Sequence, residues 1–139
     1  MSALLRIGIR TMCVAGLVFA AYLTGPARAA DIDGAWANNP DLCKKIFVKK
    51  GNKVSMTRNS DFFGSGFIID GKHLRGKMAS CEVKARKDDG AMINIVAACS
   101  TDIAVATNQF SLRVDGDGKL TRFFPGMPDM DMSYFRCPL

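Results

Sequence analysis

Five cysteines and a single histidine, His73, set the chemistry open to this 139-residue chain. Four of the cysteines, Cys43, Cys81, Cys99 and Cys137, follow the apolar N-terminal stretch, and none of them forms a Cys-x-x-Cys pair. That argues against structural zinc or a thioredoxin-like couple and for two disulfides in an oxidising compartment. The stretches around Cys81 and Cys99 read as strands joined by Asp88, Asp89 and Gly90, which sets their sulfurs across one hairpin. Four cysteines allow three connectivities; the hairpin favours Cys81 with Cys99, which leaves Cys43 for Cys137 and would bring the two ends of the domain together. With one histidine and the cysteines bridged, neither a Ser-His-acid triad nor a Cys-His pair can assemble in the usual form. The acids cluster with glycine in turns, where Asp serves the backbone first, and only Glu82 sits in a clear strand, on its wet face. The expectation is a protein without catalysis, cofactor or metal.

Three other constellations invite chemistry. Asp115, Asp117 and Gly118 resemble the start of a calcium loop, but Arg113 occupies the first ligand position and Phe124 stands where the closing glutamate belongs, so a hairpin turn is expected. Met127-Pro128-Asp129-Met130-Asp131-Met132 carries thioethers that suit Cu(I), with Met130 and Met132 expected on one strand face. No histidine or free cysteine supplements them, and methionine also serves as an adaptable contact. Asp61-Phe62-Phe63-Gly64-Ser65-Gly66-Phe67 sets three aromatics among glycines. Such a loop either caps a barrel mouth or inserts an apolar anchor into a partner, and Pro125 to Pro128 makes a second stiff loop for the same rim. Lys44, Lys45, Lys49, Lys50 and Lys53 form a basic run that is either a solvated hairpin rim or a patch for an acidic partner or a membrane surface.

The elements that must position these residues are β. Residues 1–29 read as a secretory signal: Arg6 and Arg10 precede an uncharged apolar stretch from Met12 to Thr24, and Ala27-Arg28-Ala29 supplies the cleavage pattern. The cut is expected after Ala29, leaving a periplasmic or secreted domain over 30–139 without a stable membrane anchor. Its removal takes three arginines and no acid, so 16 basic and 13 acidic side chains remain of the original 19 and 13. Nucleic acid is therefore not an expected partner. Cys81, Val83 and Ala85 alternate with Glu82, Lys84 and Arg86, and Phe110, Leu112 and Val114 with Gln109, Ser111 and Arg113, the period of half-buried strands. Met92 to Cys99 is apolar on both faces and reads as a more central strand. Turns fall at Gly51-Asn52, Asp70-Gly71, Asp89-Gly90 and Asp115 to Gly118. Asn39-Pro40 opens one short helical turn through Lys45, and Ser100 to Thr107 fits either strand or helical turn. Eight to ten short strands with close termini predict a small antiparallel meander barrel, with a β-sandwich as the alternative.

Gly34-Ala35-Trp36 on the first strand, followed by a helical turn, resembles the opening motif of the lipocalins and the wider calycin group. The resemblance implies that an arginine on the last strand packs over the tryptophan, and Arg136 stands in that place. In length and bridging the chain is similar to small exported bacterial barrels that inhibit lysozymes or proteases. A monomeric binding protein is expected, meeting a macromolecular partner through Phe62, Phe63, Phe67, Met127 and Met130. The alternatives are carriage of a small apolar ligand and, behind it, Cu(I) binding. What separates binding from carriage is whether Val83, Phe110, Leu112 and Val114 fill the interior or line a cavity.

Overall fold

The computed structural model describes residues 29–139; the signal segment read in the sequence lies outside the described residues up to Arg28. Ten strands are present: β1 (Gly34–Ala37), β2 (Phe47–Lys50), β3 (Lys53–Met56), β4 (Gly66–Asp70), β5 (His73–Arg75), β6 (Ser80–Asp89), β7 (Met92–Ser100), β8 (Val105–Asp115), β9 (Lys119–Phe123) and β10 (Met132–Arg136). Eight close into an antiparallel barrel in the order β1-β10-β9-β8-β7-β6-β5-β4, a meander from β4 to β10 that β1 seals. The sandwich alternative is thereby set aside.

The turns follow the glycines. Gly51, Gly71, Gly90 and Gly118 all take φ between +57° and +70°, the left-handed region that glycine enters without a steric penalty, and each sits between paired strands. Ser100 to Thr107 resolves into the end of β7, a turn at 101–104 and the start of β8. The helical signal at Asn39 is real but small. Its side chain accepts from the Asp41 N–H at 3.0 Å, and one 3₁₀ turn (Pro40–Leu42) runs into α1 (Cys43–Ile46).

β2 and β3 form a hairpin of their own. With α1 they make an insert between β1 and β4 that packs on the outside of the barrel. Its Cys43, Ile46 and Phe47 meet Ala35, Ala37 and Ile68, the outward residues of β1 and β4, in a second small core. Residues 35 and 37 are alanine, which allows that approach. At Gly66 the fit tolerates no side chain: a Cβ there would lie 2.8 Å from the Phe47 ring and 2.8 Å from the Trp36 carbonyl oxygen. The disulfides are Cys43–Cys137, which pins α1 beside the end of β10, and Cys81–Cys99, which crosses the β6–β7 hairpin.

One sequence expectation needs correction. The alternation in β6 holds only to Val83, because a β-bulge shifts the register between Val83 and Ala85. An extra residue on one strand reverses which face follows it. Arg86 and Asp88 consequently pair with Ile95 and Ile93, the inward residues of β7, and Ala85 is exposed.

Candidate functional site

The two ends of the barrel are built for different purposes. At one end, Trp36 is fully buried, donates from Nε1 to the Ile32 carbonyl at 2.9 Å, and carries the Arg136 guanidinium 4.6 Å above its ring. Arg136 also donates from Nη2 to the Asp31 carbonyl at 2.8 Å and from Nη1 to the Asp33 carbonyl. The segment 30–33 thus lies across this end as a floor. Arg86 ties its start: Nη2 reaches the Ala30 carbonyl at 2.7 Å, while Nε and Nη2 grip Asp88 at 2.7 and 2.8 Å. That hydrogen-bonded pair holds the Asp88 carboxyl below its usual range and raises the guanidinium above its own. The exposed turns at this end, Asp70 to Lys72, Asp89-Gly90 and Gly116-Asp117, carry only polar residues and glycine.

The interior does not leave a large space. Leu112 is buried, and Val83, Phe110 and Val114 pack against the core with the inward isoleucines of β7. A cavity of about 190 Å³ survives toward the other end, lined by Phe67, Leu74, Gly76, Ala79, Cys81, Phe110, Leu112 and Arg122. Cross-strand pairing sets Arg122 on the face of Leu112 and Met132, so its guanidinium lies at the mouth, 4.8 Å from the Phe110 ring centre and 4.5 Å from that of Phe124.

Four loops surround this mouth by topology, and each exposes apolar side chains. Between β7 and β8, the Thr101 hydroxyl oxygen accepts from the Ala104 N–H at 3.2 Å; the resulting turn leaves Ile103 95% and Val105 79% exposed. Between β5 and β6, Met78 is 76% exposed. The loop into β4 folds a 3₁₀ turn at Ser60–Phe62 that leaves Phe62 82% exposed. Phe63 beside it is less exposed, with the Lys45 ammonium 5.4 Å over its ring. Lys77 fastens these two loops together, donating to the carbonyls of Arg58 and of Thr57 (3.4 Å), with Asp61 3.9 Å away. Between β9 and β10, the Asp131 carboxylate accepts from the Phe124 N–H at 3.2 Å and Gly126 takes φ +82°, closing a compact loop that exposes Met127 and Met130.

Of the residues singled out in the sequence, Phe62, Phe63, Met127 and Met130 therefore stand on this rim. Phe67 does not. It points into the barrel, where its ring meets Tyr134 edge-on at 4.8 Å. Met130 and Met132 do not share a strand face either, because Met130 ends a 3₁₀ turn and Met132 begins β10. The Tyr134 hydroxyl, moreover, donates to the Met132 sulfur at 3.6 Å. Sequence reasoning missed Met78, Ile103, Val105 and Arg122. The first three carried a readable signal, an apolar residue inside a short polar connection; Arg122 becomes notable only once the barrel aligns it with Phe110. Among the described residues no three His, Cys, Asp or Glu side chains converge to hold a metal ion.

Comparison of the chain with protein families, with curated proteins and with solved structures returns no match.

Proposed function

We propose that this is an exported binding protein of calycin-like design that docks the mouth of its barrel onto another macromolecule, in the manner of a hydrolase inhibitor. The observation that carries this reading is the ring of exposed apolar side chains, Phe62, Met78, Ile103, Val105, Met127 and Met130, contributed by all four mouth loops. Exposed apolar side chains grouped at one site mark an interaction surface, whereas scattered single ones need no explanation. The loops are short and internally hydrogen-bonded, so little freedom is lost on docking. Two disulfides suit the compartment that the signal segment implies.

Carriage of a small ligand is the second reading, and one observation favours it: an apolar cavity with a guanidinium at its mouth suits a small amphipathic anion. Its volume of about 190 Å³ falls below the roughly 300–1,000 Å³ of ordinary ligand sites, which places docking first.

The test is inhibition by the purified protein of a panel of lysozymes and secreted proteases, with a variant carrying Phe62→Asp, Met78→Asp and Ile103→Asp as control. Docking predicts stoichiometric slowing of at least one enzyme and at least about a hundredfold weaker effect in the variant. A panel left untouched, together with native mass spectra showing a retained small molecule, would turn the reading to carriage.

A further inference from the structure

The outer insert adjoins the mouth, running into the loop that carries Arg58 and Phe62, and it is chemically the most polarised piece of the molecule. From Leu42 to Ser60 the chain holds Lys44, Lys45, Lys49, Lys50, Lys53 and Arg58 and no acid at all, whereas the rest of 30–139 holds ten cations and thirteen acids. All six cations are exposed. None of the six pairs with a side-chain carboxylate among the described residues; Lys49 donates to the main-chain oxygen of Leu139 at 3.0 Å and Lys45 lies over Phe63. The packing explains most of this exposure: Cys43 and Ile46 face the barrel and turn Lys44 and Lys45 outward, and Lys50 and its cross-strand partner Lys53 lie on the hairpin face opposite Phe47, while Lys49, on the same strand side as Phe47, emerges at the edge.

We infer that this insert is an electrostatic landing face for an anionic phospholipid bilayer, held against lipid phosphates by the six cations. Charge complementarity is the basis, and shape selects the occupant. The cations stand on a protruding element, from α1 beside the mouth loops to the hairpin tip at Gly51-Asn52. The neighbouring depression, of about 540 Å³ between Asn52, Lys53 and the outer side of β4 and β5, is edged by Asp33 and Asp70 but also by Lys53 and Arg75, the last 3.9 Å from Asp70. Charges of both signs line that depression, whereas the insert carries cations alone, so the unbalanced charge belongs to an extended surface rather than to a cleft. A cluster of four to eight cations on one face is the number at which anionic bilayers hold a protein reversibly. With the insert against the bilayer, the barrel lies on its side and the mouth stays open to a partner.

The test is sedimentation of the protein, expressed from its full coding sequence, with phosphatidylcholine vesicles and with vesicles to which phosphatidylglycerol is added. Binding is expected only with phosphatidylglycerol and should fall steeply with salt, since screening shortens to about 3 Å in 1 M salt. Lys50→Glu with Lys53→Glu should lower the partition coefficient by at least about tenfold; Lys50→Gln with Lys53→Gln should lower it less, at an unchanged thermal midpoint. Phe62→Asp should retain more of the binding than the lysine-to-glutamate pair, which separates this face from the mouth. Equal binding to both vesicle types, indifference to the lysine substitutions, or capture of soluble polyglutamate without vesicle binding would each overturn the inference, the last by assigning the face to an acidic macromolecule.

Discussion

Arg136 and Trp36 show what one side-chain pair can organise. The guanidinium covers the indole and holds two carbonyls of the floor segment, so Arg136→Ala removes a cation–π contact to a buried ring and leaves the Asp31 and Asp33 carbonyls without this donor. A loss of about 2–4 kcal/mol in chemical denaturation is expected. The pair was legible only through resemblance, because Gly-x-Trp is similar to the lipocalin opening motif and that likeness implies an arginine on the last strand over the tryptophan. Arg86 was not, because no side chain announces a bulge; the alternation through Cys81, Val83 and Ala85 reads as continuous until the pairing with β7 is known. Asp88 provides the pH test. Its pKa is depressed in the folded state, so the pair stabilises fully above the unfolded value near pH 4 and fades as pH falls through the folded one. Asp88→Asn should therefore cost about 0.5–1 kcal/mol at neutral pH, the modest value of a half-exposed pair, and progressively less as pH falls through the depressed folded-state value.

At the scale of elements, the insert depends on β1 having two useful faces. Trp36 points in, while Ala35 and Ala37 point out and are equally buried. The sequence shows a turn at Gly51-Asn52 but not whether the hairpin joins the barrel, since that is decided by small residues on a distant strand. Gly66→Ala tests the seam: with the Trp36 carbonyl and the Phe47 ring both 2.8 Å from the added carbon, one must move, at about 1–3 kcal/mol. Removing Cys43–Cys137 by double serine substitution, across a sequence separation of 94, should cost about 4–5 kcal/mol against about 3 for Cys81–Cys99 across 18. Urea titrations of the two double variants check that order. The cysteine count made two bridges readable and the hairpin favoured one of three pairings, but only the barrel, by setting Cys43 beside the end of β10, decides the connectivity.

For the whole molecule, the interior is largely filled, with a cavity of about 190 Å³, and the rim at one end exposes apolar side chains. Trp36 is the single tryptophan of the chain and is wholly buried. Its fluorescence should be blue-shifted and insensitive to iodide, and should stay so in the rim variant with three aspartates, whose substitutions touch only exposed positions; a red-shifted native spectrum would refute the closed floor. The rim was half legible. Phe62, Phe63, Met127 and Met130 lie in segments whose glycines and prolines mark loops, but that four loops share one end follows only from barrel closure.

The Cys43–Cys137 bridge also decides how the molecule bears mechanical load. From Cys43 the chain runs through nine of its ten strands to Cys137, and the bridge returns it to its start. Tension applied at Ala30 and Leu139 is short-circuited across that bond, and β1 is the only strand in series with the pull. An atomic-force trace should show one early yield as β1 peels from β4 and β10, releasing roughly thirteen residues at about 3.5 Å each. The remaining strands should stay folded at any force the sulfur–sulfur bond survives.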